Sequence, residues 1–129
     1  MKMQADRIEG QNAVQRHSSE GVIVNGVEYR SSVVVPWRGD VANWPVDDFA
    51  ALTQAHFAQL ASVSPEIVIF GSGARIRFVN PALLRPLIER RIGVETMDTA
   101  AACRTYNVLL AEGRPVVLAA LFEPAAAQR

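Results

Sequence analysis

The 129-residue sequence contains one cysteine, Cys103, and two histidines, His17 and His56. A single cysteine excludes an internal disulfide, and these three residues do not have the spacing of a metal site. Neither histidine is placed to activate Cys103 as a nucleophile, and the acidic residues are too scattered to predict a general acid–base pair. We therefore expect no metal and no cofactor. Enzymatic activity stays open, with its absence favoured.

The sequence also lacks an excess of charge, because 13 basic residues balance 13 acidic ones. This balance argues against a nucleic-acid partner, and a net charge near zero favours self-association or binding to another protein. No apolar run approaches the roughly 20 residues that span a bilayer, and the polar start of the chain is unlike a signal peptide. We therefore expect a cytoplasmic protein without membrane insertion.

The length predicts one domain. We place a weakly ordered segment at residues 1–20, a single α/β domain at residues 21–122 and a flexible tail at residues 123–129. Asn25-Gly26 lies between β-branched runs and predicts a two-residue hairpin, which makes an N-terminal β meander. Pro36 ends the strand that follows, since proline has no N–H to donate.

Strand and helix patterns alternate after this meander. The apolar run 65–71 predicts a strand covered on both faces, and the alternating residues 75–79 predict a short strand with one solvent-facing side. Further strands are predicted at 94–97 and 115–122. Helices are predicted at 47–63, at 81–91 with Gly93 as its end, and from a cap at Asp98 or Thr99 to about Gly113. This order predicts an α/β domain with a mixed or parallel sheet.

One crevice is predicted where two strands end. Gly71-Ser72-Gly73 lacks the third glycine and the following helix of a dinucleotide-binding loop, so a tight turn is favoured. If the strands ending near Phe70 and Met97 are parallel neighbours, this turn and the helix start at Asp98 share one edge, where α/β proteins place ligands.

The third helix supplies further candidates. Arg104 and Asn107 share a face and could hold a carboxylate or phosphate, although bonding to nearby backbone carbonyls is favoured. Cys103 lies near a helix start, where a thiolate is favoured, yet a small buried apolar role has the stronger support. The candidate crevice residues are Gly71, Ser72, Gly73, Arg75, Met97, Asp98, Thr99, Cys103, Arg104 and Asn107.

Several of these blocks resemble a known family. The most specific is Met97–Asn107, and it is accompanied by Val24-Asn25-Gly26, Phe70–Gly73, Gly93-Val94-Glu95 and Glu112-Gly113-Arg114. The chain resembles the small α/β family of unknown function typified by an archaeal structural-genomics protein. That family includes mitochondrial complex I assembly factor 3 and the adipogenesis-associated domain-containing protein. The resemblance implies a three-layer fold with a central mixed five-stranded sheet, helices on its faces and additional β structure.

The resemblance implies no catalytic residue. It implies a non-enzymatic protein-interaction or assembly module whose partner is a subunit or assembly intermediate of a membrane complex. The alternative is a small-molecule or anion-binding protein, or an enzyme, that uses the crevice between Gly71-Ser72-Gly73 and the helix beginning at Asp98. A homo-oligomer is a third interpretation.

Overall fold

Two β-sheets and three α-helices form the fold of residues 10–124, which the computed structural model describes. The strands are β1 Val14–Ser18, β2 Gly21–Val24, β3 Val27–Tyr29, β4 Val33–Pro36, β5 Ala42–Asn43, β6 Ile67–Gly71, β7 Gly93–Met97 and β8 Val116–Ala120. The helices are α1 Gln54–Ala61, α2 Arg85–Ile88 and α3 Thr99–Ala111, with single 3₁₀ turns at Phe49–Ala51 and Pro81–Leu84.

The small sheet is an antiparallel meander in the order β1-β2-β3. Asn25 and Gly26 have φ values of 52° and 81°, so the predicted hairpin turn is present and has the left-handed backbone that such turns need. β1 lies inside the segment 1–20, for which weak order is predicted. Within the described residues the meander therefore begins at Val14 and not at Gly21. Residues 1–9 lie outside the described part.

The main sheet has five strands in the order β5-β4-β8-β6-β7, with β8 at its centre. β8, β6 and β7 run parallel, whereas β4 is antiparallel to both β5 and β8. The mixed five-stranded sheet implied by the resemblance is therefore confirmed. All five residues of β8 are buried, as expected for a strand with one core on each face.

Two apolar cores lie on opposite faces of this sheet. Alternate residues of β6 point to different cores, so that Ile69 packs with α3 and the meander while Val68 packs with α1 and α2. Trp44 is 1% exposed in the second core, and Tyr106 of α3 is fully buried in the first. The fold is thus three-layered, with the meander beside α3.

Residues 75–79 do not form the predicted strand. They belong to no helix or strand, and the Arg77 N–H is bonded to the Ser72 hydroxyl and not to a neighbouring strand. Exposed and partly buried residues do alternate along residues 76–79, but no strand pairs with this segment. Alternation of polar and apolar residues therefore does not by itself predict hydrogen bonding to a neighbouring strand.

The two predicted helices before β7 are shorter than expected. The predicted helix is interrupted at Leu52, where the backbone is extended. Thr53 caps a new helix, and its N–H is bonded to His56 Nδ1, so α1 begins at Gln54. α2 ends at Ile88, and Arg91 takes the left-handed position with φ 58°. Gly93 therefore begins β7 and does not end the helix.

Candidate functional site

The turns after β6 and β7 leave the main sheet at the same edge. Gly71 is paired with Met97 across the two parallel strands, and each strand is followed by part of the candidate crevice. Thr99 connects the two turns, since its N–H is bonded to Gly73 O at 2.9 Å and its hydroxyl accepts from Gly73 N at 2.8 Å. The Thr99 hydroxyl also donates to Leu121 O at 3.0 Å, so its bonds are internal.

Gly71 allows α3 to approach the sheet closely. A Cβ at this position would lie 2.8 Å from Thr99 Cα and 3.1 Å from Ala102 Cβ. Atoms at such distances must shift, so the glycine and the small residues of the first turn of α3 are explained by helix–strand packing.

Ser72 is fully buried and is used inside its own turn. Its hydroxyl donates to Arg75 O at 2.8 Å and accepts from Arg77 N at 2.8 Å. The side chain therefore shapes the backbone of residues 72–77 and does not face the predicted crevice.

Asp98 caps the helix start. Its Oδ1 accepts from Ala101 N at 2.8 Å, which satisfies an otherwise unpaired N–H of the first turn. The carboxylate also places negative charge where an anion would otherwise bind, so this helix end disfavours an anionic ligand.

A cavity of about 260 Å³ lies beside this edge. Gly73, Asp98 and Thr99 line it, whereas the other sequence-predicted crevice residues do not. The other residues that line it come from the end of β1, the turn after β6, the first turn of α3 and the chain after β8: His17, Ser18, Ser19, Ala74, Ala100, Leu121, Phe122 and Glu123. The cavity therefore lies between the meander and the main sheet, displaced from the predicted crevice.

Cys103 belongs to the first core. It is fully buried, and desolvation raises the pKa of its thiol from 9.0 to about 12, although the nearby Arg104 acts in the opposite direction. Burial outweighs the helix start, so the thiol stays neutral at physiological pH and is a poor nucleophile.

Asn107 joins α3 to the meander. Its Oδ1 accepts from Val14 N at 2.9 Å and its Nδ2 donates to Val14 O at 2.8 Å, as a neighbouring strand would. Arg104 is exposed on the same helix. The structure thus uses the Asn107 amide for backbone bonding, which is the interpretation that the sequence favours.

The ion pair between Arg77 and Glu123 is the feature that sequence reasoning missed. Arg77 Nη2 lies 2.7 Å from Glu123 Oε1, and Arg77 Nε donates to Ser72 O at 3.1 Å. Glu123 Oε2 accepts from Phe49 N at 2.9 Å, and the guanidinium lies 4.5 Å from the centroid of the Phe49 ring. Three separate segments are therefore joined at one point.

Glu123 lies in the segment 123–129, which is predicted to be a flexible tail. The residue is only 9% exposed and is bonded on both carboxylate oxygens, so its side chain is fixed to the domain. The remaining tail residues 125–129 lie outside the described part. The sequence signal for this ion pair is Arg77, a charged residue between two apolar ones. Its partner, Glu123, is 46 positions away, so the sequence does not identify the pair.

Residues 10–124 contain no group of three or more histidine, cysteine or acidic side chains that could hold a metal ion. In the same range, no helix has both the length and the apolar composition needed to cross a membrane.

Residues 14–121 match the family described as "Protein of unknown function (DUF498/DUF598)". The chain belongs to this family. The match covers the Met97–Asn107 block as well as the hairpin, so the resemblance identified from the sequence is confirmed.

Known proteins of similar sequence and structure support this membership. The bovine protein "NADH dehydrogenase [ubiquinone] 1 alpha subcomplex assembly factor 3" is 36% identical over 114 residues, which is 86% of this chain and 60% of the bovine protein. The chain thus spans about three fifths of that relative's length. A Bordetella parapertussis crystal structure has a TM-score of 0.84 at 38% identity, covering 91% of this chain and 100% of that one. A Bordetella pertussis solution structure, called a Mth938-like domain, has a TM-score of 0.80 at 32% identity, covering 100% and 98%.

Proposed function

We propose that this chain is a non-enzymatic protein-interaction domain that acts in the assembly of a multisubunit membrane complex. The observation that carries the proposal is the 36% identity to bovine assembly factor 3 over 114 residues. The aligned region covers most of this chain, so the likeness extends over the whole domain and not over a single motif.

The geometry of the predicted crevice supports a role for the outer surface. Ser72, Thr99 and Asn107 have their side-chain polar groups bonded to the protein's own backbone. Asp98 caps the first turn of α3, and the Cys103 thiol is buried. These groups stabilise the fold, and a partner would instead contact the exposed side chains.

A chimera tests the proposed function. The region of bovine assembly factor 3 that matches this chain is replaced by the chain, and the chimera is expressed in bovine cells that lack the factor. We expect the mature NADH dehydrogenase complex to reappear on blue native gels, because the domain supplies the same contacts to assembly intermediates.

The matched control is a chimera carrying Gly71→Val, in which the helix α3 cannot seat against the sheet. It should accumulate poorly and restore less of the complex. If the unmodified chimera accumulates to the level of the native factor and no complex forms, the proposed assembly role is wrong.

A further inference from the structure

The segment 76–79, which follows β6, displays two large apolar side chains. Along residues 76–79, Arg77 and Val79 turn inward, whereas Ile76 is 50% and Phe78 is 73% exposed. Exposed and partly buried residues thus alternate along this segment, with Ile76 and Phe78 as its exposed apolar members. The folding core gains little from a phenylalanine that is exposed to this extent.

The same segment is held in a defined position. Arg77 is bonded to Ser72 O and to Glu123, and its guanidinium stacks on Phe49. The Ser72 hydroxyl bonds to the backbone of Arg75 and Arg77 on either side of Ile76. Because these bonds order the backbone before any encounter, a partner that contacts Phe78 does not have to order this segment.

The stretch of chain that contains Phe78 is basic. Residues 72–92 contain five arginines and one glutamate, although the whole chain is neutral. Val79, Leu83, Leu84 and Leu87 pack inward on the second core. The exposed Arg90 is bonded to Ala61 O and Ser64 Oγ, and Arg85 forms an exposed pair with Glu89. The outward set consists of the other exposed arginine and large apolar residues: Arg75, Ile76, Phe78, Arg85, Ile88 and Arg91.

We infer that this outward set, the basic apolar face, docks onto a protein surface that offers an apolar pocket for Phe78 with carboxylates around it. The inference rests on the proposed function as a protein-interaction domain and names its contact surface. Aromatic and arginine side chains are the types that carry most binding energy at protein interfaces. Guanidinium groups pair with carboxylates through two parallel hydrogen bonds, which favours an acidic partner.

The observations favour a protein over a lipid bilayer or a nucleic acid. The apolar side chains project from a backbone fixed by specific bonds, which suits a pocket of complementary shape. The neutral charge of the whole chain argues against a nucleic acid as the partner.

Site-specific photo-cross-linking tests the inference. Phe78 is replaced by p-benzoyl-phenylalanine in the full chain, and the cells that naturally produce the protein are irradiated. Val108 provides the matched control position, because it is 57% exposed on α3, which packs on the other face of the sheet. Thermal unfolding of each purified variant checks that the fold is retained.

We expect a discrete adduct with another protein from position 78 and none from position 108. The cross-linked peptide of the partner should contain both apolar residues and carboxylates. The double substitution Arg75→Glu/Arg85→Glu should reduce the adduct yield about tenfold or more, whereas Arg75→Lys/Arg85→Lys should retain most of it.

Several results would overturn the inference: no adduct at position 78, equal adducts at both positions, or an adduct yield that is unchanged by Arg75→Glu/Arg85→Glu. An adduct with a second copy of this chain, with lipid or with nucleic acid would do the same. A protein adduct unrelated to any membrane complex would keep the docking surface and contradict the assembly role. Conversely, a chimera that restores the NADH dehydrogenase complex without an adduct at Phe78 would keep the assembly role alone.

Discussion

At the scale of single residues, Arg77 holds together parts of the chain that are far apart in sequence. Its side chain is 22% exposed and that of Glu123 is 5% exposed, so the ion pair is largely removed from water. Breaking a buried pair leaves a charge without its partner, which is more costly than losing a surface pair. The pair fixes the segment that displays Phe78 and the chain that follows β8.

Arg77→Met should lower the free energy of unfolding by about 2–4 kcal/mol, because the Glu123 carboxylate would stay buried after losing its ion pair with Arg77. Glu123→Gln should cost less, and the double variant less than the sum of both. Urea denaturation measures these differences. Arg85→Met is the control, since the Arg85–Glu89 pair is about 63% exposed and should change stability by under about 0.5 kcal/mol. Equal losses for Arg77→Met and Arg85→Met would contradict the importance of the buried pair.

The sequence identifies which polar residues are unusual, but not what they bind. Asn107 and Ser72 were both candidates for a ligand, and both are bonded to backbone groups of this chain. The Asn107 partner, Val14, is 93 positions away. Spacing within a helix predicts only which side chains share a face, and the group that meets that face depends on the tertiary fold.

At the scale of elements, the contact between α3 and the end of β6 depends on side-chain size. Gly71 and Ala102 meet where a larger residue has no room. This close approach brings the Thr99 hydroxyl within reach of Gly73 N and Leu121 O, and these bonds join the ends of three elements.

Gly71→Ala should destabilise the protein by about 1–3 kcal/mol, because the added methyl must displace α3 from the sheet. Gly93→Ala serves as the control: its Cβ would meet nothing closer than 3.7 Å, so the expected change is under about 1 kcal/mol and of either sign. Thermal unfolding of both variants provides the comparison. If Gly71→Ala is as stable as Gly93→Ala, steric crowding does not explain this glycine.

The sequence predicts the hairpin, β6, β7 and α3 because local signals determine them. Asn25-Gly26 requires a tight turn, and Asp98 caps a helix through its own side chain. The errors occur where distant contacts decide. Residues 75–79 alternate like a strand, yet β7 takes the place beside β6 in the sheet. The helix predicted over 81–91 is limited to short turns, because the chain must reverse at Arg91 and enter β7.

At the scale of the whole molecule, the main sheet lies between two apolar cores that differ in the side chains they bury. The second core is built from aromatic and aliphatic side chains, with Trp44, Phe57 and Phe70 in edge-to-face contact. The first core also buries two ionisable groups, Cys103 and Tyr106. The Tyr106 hydroxyl lies 2.8 Å from Asn12 O and 3.1 Å from Pro36 O.

Because of these two buried groups, the free energy of unfolding should decrease as the pH rises into the alkaline range. Burial raises the pKa of the Cys103 thiol from 9.0 to about 12 and also raises the pKa of Tyr106. Once the pH exceeds about 9, the unfolded chain loses a proton from the thiol that the folded chain keeps. The stabilisation is therefore complete below this pH and is lost as the pH rises toward the folded value. The slope approaches about 1.4 kcal/mol per pH unit for each such group.

Cys103→Ala should flatten this dependence. Its stability at neutral pH should fall because a buried sulfur is removed, but the decline between about pH 9 and 11 should be shallower than in the native protein. The remaining slope comes in part from Tyr106, whose pKa is raised by the same burial. Urea denaturation at half-unit pH intervals measures both curves. Parallel curves would mean that the folded chain ionises Cys103 as readily as the unfolded chain does, and that the first core admits water around the thiol.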